Sequence, residues 1–218
     1  MATRPATPYR TAPRMAALAF VSQNLTMAAL YAPFSVLLMA VEARYHVSRQ
    51  ASSLGMALMS ASLAISAPMV GVLAERVAAR RLMMLGGLLS MLGYGLLALS
   101  SQHAVYLLVY ALLFGPAICL SGVIVPSALV TRWYADHRGR ALGIVHMPLL
   151  MGPLAMFVTG LLRARGLTAT YGMLAGMGFL TMLAAAFVVE RPAETGAPQS
   201  SADIPEAPAT AIAPLRSQ

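Results

Sequence analysis

Six long stretches of this chain contain no Arg, Lys, Asp or Glu, and this absence of charge limits the possible folds more than any other feature. A run of about 20 apolar residues is the length at which an α-helix crosses a bilayer. Backbone groups in lipid must be satisfied within the segment, and none of the runs alternates with a strand period, so helices are expected. The predicted spans are residues 15–41, 51–74, 82–101, 104–130, 141–162 and 167–189.

The composition also indicates a membrane protein. Of the 218 residues, 59% are hydrophobic and 10% are charged, whereas soluble proteins carry about 25% charged residues. The net charge of +8 comes from arginines, most of them beside apolar runs, so membrane topology explains it and no nucleic-acid partner is expected. The single cysteine, Cys119, lies inside an apolar run, which excludes a disulfide or a cysteine metal site within one chain. No cofactor is expected.

The arginines predict how the chain crosses the membrane, because positive charge collects on the cytoplasmic side. Ten fall on one side of the predicted spans, namely Arg4, Arg10, Arg14, Arg76, Arg80, Arg81, Arg132, Arg138, Arg140 and Arg191, and four on the other, Arg44, Arg49, Arg163 and Arg165. Both termini are therefore predicted to be cytoplasmic, in a plasma membrane such as a bacterial inner membrane. The expected parts are a cytoplasmic segment (residues 1–14), a six-helix domain (15–190) and a disordered, Pro- and Ala-rich cytoplasmic tail (191–218).

Polar side chains inside the spans are the candidates for a solute site. They are Gln23, Asn24 and Tyr31 in the first span, Ser121 in the fourth and His146 in the fifth. Such groups either bond neighbouring helices, at about 0.6 kcal/mol each, or face a solute, and both interpretations stay open. His146 is the only titratable ring well inside a span, and histidine changes charge near neutral pH. It is therefore a candidate proton or substrate site, with a helix-contact role as the alternative.

A charged stretch, GVLAERVAARR from Gly71 to Arg81, separates the second and third spans. A positive loop on the cytoplasmic side is the simplest interpretation. The stretch also resembles the loop between the second and third helices of the major facilitator superfamily, usually G-x-x-x-D-R/K-x-G-x-R/K-R/K. Glu75 replaces the motif's Asp and Ala78 its second Gly, while the matching positions are Gly71, Arg76, Arg80 and Arg81.

A second loop, TRWYADHRGR over residues 131–140 followed by ALGI, precedes the fifth span. Its aromatic residues and arginines suit a cytoplasmic membrane interface. The loop is also similar to the one before the fifth helix in the monocarboxylate-porter and oxalate/formate-antiporter branch of that superfamily. The matching residues are Trp133, Tyr134, Arg138, Gly139, Ala141, Leu142 and Gly143.

The resemblance implies an all-α membrane fold, in which six helices form two three-helix inverted repeats and the first and fourth line a central path. It implies secondary transport of a small solute by alternating access, with small carboxylates favoured by the branch and with proton coupling as an option. The residues Gly71, Glu75, Arg76, Arg80 and Arg81, here called the latch loop, would hold the cytoplasmic ends of two halves together. Because the sequence resembles one half, a homodimer or a separate second half is expected.

Two other classes of function compete with transport. One is a truncated or non-transporting six-helix membrane partner. The other is an intramembrane hydrolase using Ser121 and His146 as nucleophile and base. Ser121 lies in C-L-S-G, which lacks the G-x-S-G of rhomboid-type proteases, so no enzyme is expected.

Overall fold

Six helices follow one another in a computed structural model that describes residues 11–134 and 137–189. Within these ranges there is no strand. Most of the predicted N-terminal segment and the whole predicted tail lie outside them. The helices are α1 Thr11–Tyr45, α2 Arg49–Arg76, α3 Ala79–Leu99, α4 His103–Trp133, α5 Arg138–Val145 and α6 Met151–Ala186.

Five of these helices, all except α5, are long and apolar enough to cross a membrane. The last, α6, has 36 residues and contains a kink at Gly166, where φ is 78° and ψ is −178°. A side chain is strained at this positive φ, and glycine is not. The fifth and sixth predicted spans therefore meet within α6, on either side of Gly166.

Contacts along α1 show that the chain reverses at this kink. Leu149, just before α6, bonds Asn24 in the first half of α1, and Thr168, just after the kink, bonds Arg44 near the end of α1. Val189, after α6, bonds Met15 near the start of α1. Asn24 and Arg44 are separated by about 30 Å along a helix rising 1.5 Å per residue. The chain thus runs up beside α1 and back again, and the described residues cross the bundle six times, as predicted.

The fifth crossing is broken. The eight-residue helix α5 ends at Val145 and α6 begins at Met151, so one unbroken helix over residues 141–162 was a wrong expectation. Pro148 explains the position of the break, because it has no N–H to donate and disfavours a helical conformation for the residue before it.

Helix α4 is irregular at its centre. Two π-helical segments, Tyr110–Phe114 and Ile118–Val123, flank Gly115–Ala117. Pro116 and Pro126 remove backbone donors here, and wider turns are one way a helix accommodates such breaks.

The packing follows a two-repeat pattern. The first crossing packs on the fourth, and the third packs on the sixth. The second crossing packs on the fourth, and the fifth packs on the first. If crossings one, two and three are exchanged with four, five and six, the same four pairs result. Such a pattern is expected for two three-helix repeats related by a pseudo-two-fold axis.

The α3–α6 contact brings two helix backbones close together. A Cβ added at Gly87 would lie 2.6 Å from the Met182 nitrogen, and one added at Gly178 would lie 2.6 Å from the Met91 nitrogen. Small residues at such crossings let membrane helices approach and gain van der Waals contact. Glycine is therefore required on both sides of this contact.

An aromatic cluster fills the core beside it. Tyr94 packs on Phe114 and Tyr171, with ring centroids 4.6 Å and 6.1 Å away, and Tyr106 packs on Tyr110 at 4.6 Å. The Tyr94 hydroxyl donates to the Ala29 carbonyl and the Tyr106 hydroxyl to the Ser52 carbonyl. These bonds tie α3 to α1 and α4 to α2 through groups that could find no water in lipid.

Arg44 closes the end of the bundle opposite the latch loop. Its guanidinium donates to Thr168 Oγ1 at 2.9 Å and to the Ser100 carbonyl at 2.9 Å. The carbonyl end of a helix favours a cation. Arg44 therefore joins the ends of α1 and α3 to α6 just after its kink.

Replacing Gly87 by Ala should destabilise the bundle, because the new methyl group meets backbone atoms that cannot rotate away. We expect a loss of about 1–3 kcal/mol, the usual cost of overpacking. Gly95→Ala is the matched control on the same helix, since a Cβ there meets nothing within 4 Å. Thermal unfolding in detergent measures both, and equal melting temperatures for the two variants would contradict the packing described here.

Candidate functional site

Four of the five predicted site residues take part in three small sets of hydrogen bonds, which join α1 to α4 and to the α5–α6 break. We call the side chains of these sets together the polar cluster. Its members are Ser22, Gln23, Asn24, Thr26, Ser121, Ser127 and His146. Tyr31 lies two turns further along α1, partly buried against the core, and is not bonded to the cluster. The cluster thus joins three crossings that are distant in sequence.

His146 is held by a chain of hydrogen bonds with a defined direction. The Gln23 amide nitrogen lies 2.7 Å from His146 Nδ1, and the Ser127 hydroxyl oxygen lies 2.9 Å from Nε2. An amide nitrogen only donates, so Nδ1 accepts, and Nε2 carries the proton and donates to Ser127. Ser127 in turn donates to the Val123 carbonyl. This orientation of the amide matches a ring that has its proton on Nε2.

The amide oxygen of Gln23 is the unsatisfied part of this chain. Gln23 is 5% exposed, and its Oε1 has no hydrogen-bond partner among the described residues. A buried acceptor without a donor is costly. Rotating the amide by half a turn would place Oε1 against Nδ1, where it would accept a hydrogen bond from the Nδ1–H of a charged or tautomeric imidazole. The Gln23–His146 pair therefore fits either protonation state of the ring.

Asn24 stabilises the break in the fifth crossing. Its Oδ1 accepts the backbone N–H groups of Leu149 and Leu150, at 3.0 Å and 3.4 Å. The first N–H groups of a helix have no partner within it, and no side chain of its own segment caps α6. Asn24 thus caps α6 from a different helix, and it holds the segment that carries His146.

Ser121 lies at the buried end of the cluster, with no exposed surface. Its hydroxyl donates to the Ala117 carbonyl at 2.9 Å and lies 3.0 Å from the Thr26 hydroxyl, while its carbonyl accepts from Ser22 at 3.1 Å. These contacts join α1 to α4. Neither ring nitrogen of His146 bonds Ser121, so the serine and base of the hydrolase alternative do not meet in this structure.

The serine that does meet His146, Ser127, was missed in the sequence. Ser127 stands beside Pro126 in a helix with two irregular segments, so helical spacing could not place it. His146 itself is exposed at the surface of the bundle, while Gln23 and Asn24 are buried behind it. The cluster is therefore reached from the side of the α5–α6 break.

The latch loop lies at one end of the bundle. Helix α2 ends at Arg76 and α3 begins at Ala79. Its charged members, Glu75, Arg76, Arg80 and Arg81, are all exposed, and Glu75 forms no ion pair with another described residue. A Cβ at Gly71 would meet nothing within 4 Å. Nothing within the described bundle therefore requires a glycine there.

The second loop lies against the latch loop. The Arg132 guanidinium donates to the Ala74 carbonyl at 2.7 Å, near the end of α2. Trp133 packs partly buried on the core beside it, whereas Arg138 and Gly139 open α5 and are exposed. The two sequence motifs therefore meet at one end of the bundle.

Comparison with known proteins gives the family. The sequence profile described as Major Facilitator Superfamily matches residues 19–218. No curated protein matches the chain. The profile covers most of the chain, including every described crossing and both loop motifs, so this protein belongs to the Major Facilitator Superfamily, a family of secondary membrane transporters.

Proposed function

We propose that this protein moves a small carboxylate across the membrane by alternating access, with the polar cluster as the site for the solute and for a coupled proton. The observation that carries the proposal is the Gln23–His146–Ser127 chain, which contains a titratable ring and a buried unpaired oxygen. Membership of the superfamily supports secondary transport. Ionisable groups within a membrane are costly, and they commonly mark solute or proton pathways.

A carboxylate suits the charge of the cluster. His146 is the titratable member of the cluster, so it can supply a positive charge there. With the ring protonated, Nδ1–H and the Gln23 amide are neighbouring donors, as a carboxylate requires. The likeness of Trp133, Arg138 and Gly139 to the monocarboxylate-porter branch supports the same class of solute. Binding of proton and solute together would leave the site neutral.

The charged residues on the helices around His146 bear on whether a carboxylate would bind beside it. Towards the latch-loop end, the described basic residues on the elements around it are Arg14 on α1, Arg132 on α4, and His137, Arg138 and Arg140 at the start of α5. Further along, α1 also contains Arg44, and α6 contains Arg163 and Arg165. The described acidic residues, Glu42 and Glu75, are in neither α5 nor α6. A bound carboxylate would therefore favour protonation of His146 and be favoured by it.

We also propose that a second six-helix unit completes the path. Only 11% of the most apolar window of α2 is buried, and the latch loop has charged groups that no described residue pairs. A second copy of this chain or a separate chain would cover these surfaces. The arginine-rich end, which contains the latch loop, is proposed to face the cytoplasm of a cell with this protein in its plasma membrane.

Uptake by the purified protein tests the function. Vesicles that contain only this chain should accumulate a labelled monocarboxylate such as lactate when the outside is more acidic, and cross-linking in the membrane should show a dimer. The control is protein-free vesicles under the same gradient. Absence of uptake together with only monomers would favour a non-transporting six-helix partner instead.

His146→Gln tests the proton site, because glutamine keeps hydrogen-bonding capacity but does not titrate. Exchange of labelled solute at equal pH on both sides should depend on pH for the natural protein, and should lose this dependence in the variant. His46→Asn is the control, since His46 is exposed at φ 53° and asparagine tolerates that conformation. An unchanged pH profile in His146→Gln would exclude this role.

Cysteine labelling tests the orientation. A membrane-impermeant maleimide should label Ser101→Cys in intact cells, and Ala78→Cys only after permeabilisation, because these positions lie between helices at opposite ends of the bundle. The natural Cys119 is buried and serves as the unlabelled background. The reverse pattern would place the latch loop outside and contradict the proposed orientation.

A further inference from the structure

A groove of about 600 Å³ lies between the first turns of α1 on one side and Tyr134 with residues 137–149 on the other. We propose that this groove binds an anionic phospholipid, with the phosphate at Arg140 and His137 and an acyl chain along the apolar walls. Its volume falls within the range of about 300–1,000 Å³ that is usual for ligand sites. The site is separate from the polar cluster, and the proposal does not depend on what the protein transports.

The walls of the groove are suited to a hydrocarbon chain. Helix α1 contributes Ala16, Ala17 and Phe20, and the opposite side contributes Ile144, Val145 and Leu149. From Pro13 to Phe20 the groove follows α1 for about 10 Å at 1.5 Å per residue. Alanines on one side and larger side chains on the other leave a channel rather than a packed contact.

The rim of the groove is basic. Arg140 and His137 are both exposed and line it, and neither forms an ion pair with a described residue. Tyr134 lines the same end, where aromatic side chains favour the headgroup level of a membrane. Basic pockets between helices at a cytoplasmic surface bind anionic headgroups. The groove therefore combines a cationic end at the interface with an apolar channel leading inward.

Charge argues against a second copy of this chain as the occupant. An isologous contact would bring Arg140 and His137 of two copies together, and none of the described residues that line the groove is acidic. Like charges placed opposite each other at an interface weaken association. A phospholipid provides a phosphate for the basic rim and a hydrocarbon chain for the apolar walls.

Lipid retention by the full-length protein tests the proposal. The purified protein is mixed in detergent with phosphatidylglycerol or with phosphatidylcholine of the same acyl chains, and bound lipid is counted by native mass spectrometry. We expect phosphatidylglycerol to be retained saturably and in preference to phosphatidylcholine. Arg140→Gln should weaken its retention about fivefold, as loss of about 1 kcal/mol for one basic residue implies.

Two further variants separate charge from space. Arg163→Gln removes an exposed arginine in α6 that does not line the groove, and should leave retention unchanged. Ala17→Phe fills the groove without changing charge, and should reduce retention of phosphatidylglycerol. Equal retention of the two lipids by the natural protein, or an equal effect of Arg140→Gln and Arg163→Gln, would overturn the proposal.

A photoreactive benzoylphenylalanine at position 144 identifies the occupant directly. Ile144 lines the groove and is 56% exposed, so its replacement disturbs little packing. Illumination in vesicles containing phosphatidylglycerol should give a lipid adduct. A cross-link to a second copy, or to another segment of the same chain, in place of that adduct would overturn the assignment.

Discussion

Inside a bilayer a polar group must find its partner within the protein, and the arrangement of this bundle depends on how that requirement is met at the break in the fifth crossing. Pro148 accounts for the end of one helix, and no side chain of its own segment caps the start of the next. Asn24 supplies the acceptor from α1. One amide side chain thus allows an irregular segment to lie at membrane depth, and that segment carries His146.

The bundle divides into a tightly packed part and a polar part. Helices α3 and α6 meet through Gly87 and Gly178 with no room for a methyl group, and the aromatic cluster lies beside them. The α1–α4 contact and the α5–α6 break are instead joined by hydroxyl and amide groups. The close backbone contact allows essentially one arrangement. The Gln23–His146 pair allows two, which differ in the orientation of the amide and in the protonation of the ring. Any change linked to protonation is therefore expected in the polar part.

Both loop motifs and the lipid groove lie at the same end of the molecule. Arg132 binds the end of α2, which continues into the latch loop, and the chain then passes the groove before reaching His146. Leu149 lines the groove and also donates its N–H to Asn24. A ligand in the groove would contact the backbone that Asn24 holds. The short segment between α5 and α6 therefore both lines the groove and bonds the polar cluster.

The sequence alone determined the class of fold, because the absence of charge over six runs leaves helices in lipid as the only way to satisfy the backbone. It also placed both loop motifs, since charged residues stand out against apolar ones. It did not show the break after Val145 or the partners of His146, because Ser127 and Gln23 are brought to the ring by contacts between crossings about twenty to over a hundred residues apart. Tyr31 and Ser121 could be identified from the sequence as polar residues within spans. Only the packing of the helices showed that Ser121 joins α1 to α4 and that Tyr31 lies outside the cluster. The sequence shows which residues within a span are polar, whereas their hydrogen-bond partners are determined only when the helices pack.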